Sequence, residues 1–280
     1  INIIVYCTDT RSYDYIRKHK YNAILLSPKS KISKKLSPWK AGDGEFGKIM
    51  ISKFEAIHNS LQKNEFVLYI DGDVVIKKDF NEYFQKNIHN NDFLFQLDYN
   101  PKRTEQNELC AGFMFIKSSN KSVELFNPEP KKVNEIIKLP SHDQTYLNLN
   151  KKEFIYKFLP LSEFPNGAYF TNFKTKPSIV HFNYIIGKNK KKTMQKMGEW
   201  YLWEYFKQLE NRYSAYKVLI FYIFTKSANR INCMKKYTVA IPTYNSSDYL
   251  RECIYGFKNS KYLDEIIVSD DCSKLEELEK

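Results

Sequence analysis

The sequence predicts an α/β fold in which helices pack against a sheet. Strand-like apolar runs alternate with segments of helical periodicity, several runs end in turn or cap residues, and the first three segments follow the order strand, helix, strand. That opening order is typical of a parallel sheet. The chain has 280 residues, of which 42% are hydrophobic and 27% charged. This composition allows a buried core and excludes disordered, collagen-like and coiled-coil proteins.

Local patterns predict the elements that build this sheet. Asn2 to Cys7 is an apolar, β-rich run that ends in a cap cluster, and Phe66 to Ile70 is a short apolar run. Apolar residues at helical spacing predict a helix over 49–63. In chain order we predict strand 2–7, helix 13–19, strand 21–26, a basic loop over 29–48, helix 49–63, strands 66–70, 93–97 and 112–116, helices 134–139 and 143–149, and strands 154–159 and 178–182.

A second unit is predicted towards the C-terminal end. Residues 194–224 are aromatic and periodic, which predicts one or two helices that pack on the first unit rather than on a membrane. Residues 237–245 then predict a strand, 248–257 a helix, and 264–271 a strand that ends in two carboxylates. We therefore expect a domain over 1–225, a linker over 226–236, and the truncated start of a second α/β domain over 237–280 that packs only peripherally.

The charge balance favours anionic small molecules over nucleic acid. There are 44 basic and 32 acidic residues, a net charge of +12, and only 6 of the basic residues are Arg. Proteins that read nucleic acids tend to use Arg, so this Lys excess favours a solvated basic surface. Nucleotide diphosphates are natural partners for such a surface.

Cysteine usage and apolar content indicate a cytoplasmic protein. The 5 Cys are scattered without a Cys-x-x-Cys pair, which disfavours zinc and a disulfide framework and fits a reducing cytosol. The N-terminal segment lacks a basic leader, so we expect no signal peptide. The most apolar stretch, 218–224, is far too short to span a bilayer, and membrane contact is not expected.

Two carboxylates at a strand end form the strongest candidate site. Asp71 and Asp73 flank Gly72 directly after the predicted strand 66–70. The carboxyl ends of strands are where open α/β sheets bind ligands. Paired carboxylates there can hold Mg²⁺ or Mn²⁺, which in turn can bridge two phosphates. A tight Asp-Gly turn gives the same pattern without function, but the apolar strand before it favours the metal site.

A histidine and a lysine follow a later strand. His181 lies at a predicted strand end, and Gly187 and Lys188 come 6 and 7 residues later. A neutral imidazole can complete a metal site that two carboxylates begin, and a Lys can neutralise a phosphate. A lone His is usually structural, so this hypothesis depends on Asp71 and Asp73.

Two further segments carry candidate residues. Asp143 and Gln144 enter a predicted helix, either as part of an N-cap or as side chains at the edge of a cleft. Ala111 and Gly112 precede a strand, where small residues either allow a ligand to approach closely or form a bulge. Cys110 has no His or Lys beside it in sequence, so we do not expect it to be a nucleophile.

Taken together, these motifs in this order resemble the nucleotide-diphospho-sugar transferases of the GT-A fold, over about residues 1–200. The resemblance is greatest to the retaining branch that includes glycogenin-like and plant xylosyltransferase-like enzymes. It implies a Rossmann-like mixed sheet flanked by helices. It also implies metal-dependent transfer of a sugar, with retention, from a UDP-sugar to a hydroxyl group of a glycan, with Mn²⁺ or Mg²⁺ as cofactor.

The resemblance further implies a role for each matching residue. Asp71, Asp73 and His181 would bind the metal, with Asp71 also touching the ribose. Asp143 and Gln144 would act at the anomeric carbon of the donor sugar. The other implied donor contacts are Tyr6, Cys7 and Thr8 at the base, Lys53 on its helix, Ala111 and Gly112 at the sugar, and Gly187 and Lys188 at the diphosphate.

Three positions depart from the family pattern. Cys110 stands where family members often have Asn, so that contact with the sugar is in doubt. Lys53 stands where the helix cation is often Arg. Lys190-Lys191-Lys192 replaces the usual aromatic residue after the Gly-x-x-Lys segment.

The tail from Thr238 resembles a second, inverting family of glycosyltransferases, which opens with a Val-x-Ile-Pro-Thr-Tyr-Asn strand. Asp270 and Asp271 would match its first nucleotide-binding aspartates, and its metal motif and catalytic base would lie beyond Lys280. Tandem enzymes of this kind in a cytosolic, Lys- and Asn-rich setting resemble those that large algal DNA viruses use on capsid glycans.

Two other functions fit parts of the sequence. A sugar-phosphate nucleotidyltransferase shares the fold, but it should carry a Gly-rich, Arg-containing loop after the first strand, and residues 8–12 hold an Arg without a Gly. A non-catalytic module that binds nucleic acid or a membrane surface would account for the net charge and the aromatic segment. Such a module would bind polyanions without metal and with a steep salt dependence.

Overall fold

The structure is a computed structural model that describes residues 2–7, 10–18, 22–25, 44–173, 175–185, 188–199, 237–243 and 263–270. Most of the predicted loop 29–48, the predicted helix 248–257 and the aromatic segment after residue 199 lie outside the described residues. Within them, no helix combines the length and the apolar character that crossing a membrane requires.

Strands and helices alternate along the described chain. The strands are β1 (Asn2–Cys7), β2 (Asn22–Leu25), β3 (Phe66–Ile70), β4 (Val74–Ile76), β5 (Phe93–Leu97), β6 (Leu109–Lys117), β7 (Tyr156–Leu159), β8 (Ile179–His181), β9 (Tyr237–Thr243) and β10 (Leu263–Asp270). The helices are α1 (Thr10–Lys18), α2 (Gly44–Leu61), α3 (Asn81–Ile88), α4 (Asn120–Phe126), α5 (Pro130–Ile136), α6 (His142–Asn150), α7 (Gly167–Asn172) and α8 (Lys188–Lys196). A short 3-10 helix, Lys151–Glu153, follows α6.

The main sheet has eight strands in the order β2-β1-β10-β9-β3-β6-β5-β7. β6 runs antiparallel to both β3 and β5, whereas the other neighbouring strands are parallel. The sheet is therefore mixed and flanked by helices, which confirms the predicted α/β fold. A separate two-stranded antiparallel sheet joins β4 and β8.

Alternating side chains place a hydrophobic core on each face of the sheet. Leu68 and Ile70 of β3 point into one core, with α3, whereas Val67 and Tyr69 point into the other, with α2, α4 and α6. This alternation is the period-2 pattern of a strand that is buried on both faces. The fold therefore has three layers, with the sheet between two layers of helices. Polar side chains lie where the strands end.

The C-terminal strands correct one expectation. β9 and β10 do not pack peripherally: they lie in the main sheet between β1 and β3. β10 pairs with β1 along its length, and Val239 and Ile266 are buried in the core beside Leu68. An apolar strand gains both backbone hydrogen bonds and burial by pairing with an open sheet edge, so short apolar strands rarely remain separate. The boundaries of the predicted regions 1–225, 226–236 and 237–280 stay a prediction.

We expect Ile266→Ala to lower the free energy of unfolding by about 2–5 kcal/mol, because it empties a fully buried position in the core of the main sheet. Leu149→Ala is the matched control, since Leu149 is 67% exposed and its loss should change stability by less than about 0.5 kcal/mol. Urea unfolding measures both. Equal effects of the two substitutions would contradict the placement of β10 in the sheet.

Candidate active site

The ends of β3 and β8 meet beside the two-stranded sheet. Asp71 follows the last residue of β3, and its backbone N–H donates to the carbonyl of Gly112 at 2.7 Å. β4 begins three residues after Asp71, and its first residue, Val74, pairs with His181. The Phe182 N–H also donates to the Asp73 carbonyl at 3.0 Å. The pairing of β4 with β8 therefore brings His181 next to Asp71 and Asp73.

The three predicted metal ligands form one cluster. One ligand atom from each of Asp71, Asp73 and His181 lies within 4.8 Å of the others. His181 Nε2 is 3.3 Å from Asp73 Oδ1 and 3.8 Å from Asp71 Oδ2. Tyr69 donates its hydroxyl to Asp71 Oδ1 at 2.8 Å, which orients that carboxylate. Two hard oxygen donors and one imidazole are a ligand set suited to Mn²⁺ or Mg²⁺.

The charges of the cluster depend on one another. Burial would lower the pKa of His181, but Asp73 raises it well above its usual value. Burial would likewise raise the pKa of Asp73, but Lys190 and His181 hold it well below its usual range. The Asp73 carboxylate therefore lies between two basic side chains, His181 and Lys190, which favour its anionic form.

Gly112 is required for the close approach of these groups. A Cβ atom at this position would lie 2.4 Å from Asp71 Oδ2 and 2.4 Å from His181 Cε1. No side chain fits in that space, so β6 can pass directly beneath the cluster only with Gly here. Gly112 thus lies at the candidate site, where it leaves room for the side chains of Asp71 and His181.

A lysine that the sequence analysis did not select lies at the cluster. Lys190 of α8 forms an ion pair with Asp73 Oδ2. Lys188, which the sequence suggested, begins the same helix, and its side chain lies outside the described residues, as do Gly187 and Thr8. Lys190 lies two residues after Lys188, in the run 190–192 that the sequence analysis identified only as a departure from the family pattern.

Lys53 and Asp143 form a buried ion pair. Their Nζ and Oδ2 atoms are 2.5 Å apart, with side chains 4% and 10% exposed. Lys53 also donates to the Ala111 carbonyl at 2.7 Å and lies over the Tyr69 ring, 4.3 Å from its centroid. Burial would lower the pKa of Lys53, but Asp143 and Asp71 raise it above its usual value. The pair therefore joins α2 to the first turn of α6.

Asp98 is a carboxylate that the sequence analysis missed. It follows β5 and is 3% exposed. Its oxygens accept from Tyr184 OH at 2.8 Å and from Gln144 Nε2 at 3.2 Å, and Arg103 Nη1 lies 3.3 Å away. Asp98 thus connects Gln144, a predicted site residue, to Tyr184, which lies three residues after His181. A carboxylate at a strand end was the signal that selected Asp71, and the same signal could have found Asp98.

Tyr6 and Cys7 are not part of this cluster. Both lie at the end of β1, and their side chains are 1% and 0% exposed. β10 and β9 separate β1 from β3, which places these residues roughly 14 Å from the Asp71 end of β3 at the usual spacing of strands. Their predicted contact with the nucleotide base stays a prediction.

Lys53→Met should lower the free energy of unfolding by about 3–5 kcal/mol, because it leaves Asp143 buried without its partner. Adding Asp143→Leu should recover much of that loss. Lys86→Met is the control, since Lys86 pairs with Glu82 on the surface, with side chains 71% and 76% exposed, and should cost less than about 1 kcal/mol. If Lys53→Met and Lys86→Met cost the same in denaturant unfolding, the pair does not stabilise the fold.

Comparisons with known proteins agree on the class of chemistry. The family described as "Nucleotide-diphospho-sugar transferase" matches residues 1–195, and "Glycosyl transferase family 2" matches residues 238–280. A curated relative, the UDP-galactose:fucoside alpha-3-galactosyltransferase of Dictyostelium discoideum, is 28% identical over 194 residues, which is 58% of this chain and 29% of that protein. The chain therefore spans less than a third of the length of this relative.

Three solved structures are similar at low identity. The galactosyltransferase LgtC with donor and acceptor sugar analogs is 11% identical, with a TM-score of 0.40 over 70% of this chain and 95% of that one. Mouse xyloside xylosyltransferase 1 is 11% identical, with a TM-score of 0.38 over 66% and 86%. The glycosyltransferase GlyE of Streptococcus pneumoniae is 14% identical, with a TM-score of 0.39 over 98% and 81%.

Proposed function

The chain belongs to the nucleotide-diphospho-sugar transferase family, and we propose that it transfers a sugar, with retention, from a UDP-sugar to a hydroxyl group of a glycan. It is a glycosyltransferase that uses a nucleotide-sugar donor. The observation that carries the finer proposal is the cluster of Asp71, Asp73 and His181, which lies inside the matched region.

The cluster fits a divalent cation. Asp71, Asp73 and His181 supply two carboxylates and one imidazole, and Gly112 keeps the space between them clear. We propose that these three side chains hold Mn²⁺ or Mg²⁺. When bound, such an ion neutralises the charge of a departing diphosphate.

The lysines of α8 provide the second source of positive charge. The Lys190 ammonium forms an ion pair with Asp73, which is one of the proposed metal ligands. It therefore lies next to the proposed metal position. We propose that it binds the diphosphate of the donor, with Lys188 beside it at the start of the helix. A fixed ammonium next to a leaving diphosphate lowers the barrier by electrostatic stabilisation.

Residues of β6 and α6 lie on the other side of the cluster. We propose that Ala111 and Gly112 lie beside the donor sugar. The Ala111 N–H donates to Gln144 Oε1 at 3.3 Å, which connects β6 to α6 at this point. We propose that Asp143 and Gln144 face the anomeric carbon. Asp143 forms an ion pair with Lys53. This pairing suits the Asp143 carboxylate to stabilise a cationic sugar electrostatically rather than to attack the sugar as a nucleophile.

The proposals of retention and of a UDP-sugar donor rest on similarity to other glycosyltransferases. The relative from Dictyostelium is named for UDP-galactose as donor and an alpha-3 linkage as product. We propose that the acceptor hydroxyl of this chain's substrate attacks from the face that the diphosphate leaves, and that a leaving phosphate oxygen takes its proton. UDP-galactose is accordingly the first donor to test.

The remaining expectations are proposals as well. The match of family 2 to residues 238–280 supports a tandem arrangement of two glycosyltransferase units. The membership of the retaining, glycogenin-like branch, the cytoplasmic location and the role on viral capsid glycans stay predictions. The sugar-phosphate nucleotidyltransferase and the polyanion-binding module are the alternatives that the experiment below must separate.

A screen of nucleotide sugars tests this function. With Mn²⁺ or Mg²⁺, we expect the protein to release UDP from one UDP-sugar, and a chelator to stop the release. Asp73→Asn should lower turnover about 100-fold or more while the protein stays folded, because it removes charge from the cluster. Asp14→Asn, at an exposed position of α1, is the control and should keep full activity.

The outcomes separate the alternatives. Pyrophosphate release from UTP and a sugar phosphate would indicate a nucleotidyltransferase. Metal-independent, salt-sensitive binding of polyanions without any product would indicate a binding module. Full turnover of Asp73→Asn in Mn²⁺ would contradict the metal-dependent mechanism.

Lys190→Ala should have opposite effects on two ligands. Its loss frees Asp73 Oδ2, so Mn²⁺ alone should bind more tightly, whereas UDP in the presence of Mn²⁺ should bind about tenfold more weakly because a charge-assisted hydrogen bond is lost. Isothermal titration measures both affinities. Lys192→Ala, at an exposed position of the same helix, is the control. Equal behaviour of the two variants would contradict a role for Lys190 at the diphosphate.

A further inference from the structure

Gln96 is a buried amide beside the candidate metal site. It lies on β5, has no exposed surface, and follows a register shift between Phe95 and Gln96 in the pairing with β6. Its Nε2 donates to the carbonyl oxygens of Phe164 at 3.1 Å and Pro165 at 3.0 Å. Since carbonyl oxygens only accept, the NH₂ group must face them, and Oε1 must point the other way.

The other end of the amide contacts His181. Gln96 Oε1 is 2.7 Å from His181 Nδ1. An amide oxygen only accepts, so Nδ1 must carry the proton and donate it. In the neutral ring this leaves the lone pair on Nε2, the nitrogen that faces Asp73 and Asp71. The hydrogen-bond pattern thus selects the tautomer that can bind a metal.

Cys110 could not replace this contact. Its Sγ lies 3.6 Å from His181 Nδ1, and burial raises the pKa of its thiol, so it remains neutral. A neutral thiol is both a weak donor and a weak acceptor, so it favours neither tautomer of the imidazole strongly. The choice of tautomer therefore depends on Gln96.

The same segment also holds the backbone of His181. The Pro165 carbonyl accepts from the His181 N–H at 3.3 Å as well as from Gln96 Nε2. Asn166, the next residue, forms an isolated bridge with His181. Gln96 therefore connects the ring of His181 to the segment that fixes its main chain, and both are oriented together.

We propose that Gln96 is a positioning residue that sets the tautomer and ring orientation of His181, so that Nε2 is available to a divalent cation. The inference rests on the metal role of the cluster proposed above. Groups that hydrogen-bond the second nitrogen of a metal-binding His typically change metal affinity by about 10- to 100-fold when they are removed.

Mn²⁺ binding to the full chain, without donor, tests this role. Electron paramagnetic resonance gives the Kd of Mn²⁺, and its pulsed form detects the coupling of the ion to an imidazole nitrogen. Gln96→Met, which keeps the length but removes the acceptor, should raise the Kd about 10- to 100-fold and weaken the nitrogen coupling. His181→Asn should abolish the coupling.

Two further variants separate positioning from stability. Asn148→Leu removes another amide that hydrogen-bonds backbone groups beside β6, so it should lower the melting temperature without changing the Kd of Mn²⁺. Gln96→Glu keeps an acceptor oxygen for Nδ1 but loses the donors to Phe164 and Pro165. It should therefore lower stability. The Kd of Mn²⁺ should stay within about threefold of the native value, because the acceptor for Nδ1 remains, whereas loss of that acceptor should change it about 10- to 100-fold.

Specific outcomes would overturn the proposal. A folded Gln96→Met protein with native Kd and native nitrogen coupling would show that Gln96 is only structural. If Gln96→Met does not fold, loss of Mn²⁺ affinity in folded Gln96→Glu would contradict the role of the acceptor oxygen. If the native protein binds Mn²⁺ without any nitrogen coupling, His181 is not a ligand, and the metal assignment fails together with this inference.

Discussion

The pairing of β4 with β8 is the interaction on which the candidate site depends. The two strands are only three residues each, yet their register places His181 opposite Val74, one residue after Asp73. That pairing is the strand ladder that joins the segment with the two carboxylates to the segment with the imidazole. The Phe182 N–H, which donates to the Asp73 carbonyl, extends the same ladder by one bond.

Charge neutralisation is the second constraint on the site. Asp73 is balanced by Lys190 and His181, and Asp143 by Lys53. Buried or half-buried carboxylates remain ionised only with such partners. The two pairs differ in exposure, because the Lys53 side chain is 4% exposed whereas that of Lys190 is 21% exposed. An anionic donor can therefore compete for Lys190 more easily than for Lys53.

Sequence reasoning identified the carboxylates of the cluster from a local pattern. Asp71 and Asp73 were identified because a fully apolar strand precedes them, and the structure brings both together with His181. It failed where pairing between strands that are distant in sequence determines the structure. β4 is too short to show a pattern, and the insertion of β9 and β10 between β1 and β3 depends on an open sheet edge far away in sequence. Gln96 shows no sequence signal, since only the fold sets its amide against His181.

We propose that Asp71, Asp73 and His181 share one divalent cation. A crystal grown with Mn²⁺ and UDP, with diffraction recorded at a wavelength where manganese scatters anomalously, tests it directly. We expect a single anomalous peak between the three side chains, with ligand atoms about 2.0–2.6 Å from the ion and with Nε2 as the nitrogen ligand of His181. A peak elsewhere, or a bound UDP whose diphosphate meets no ion beside these residues, would contradict it.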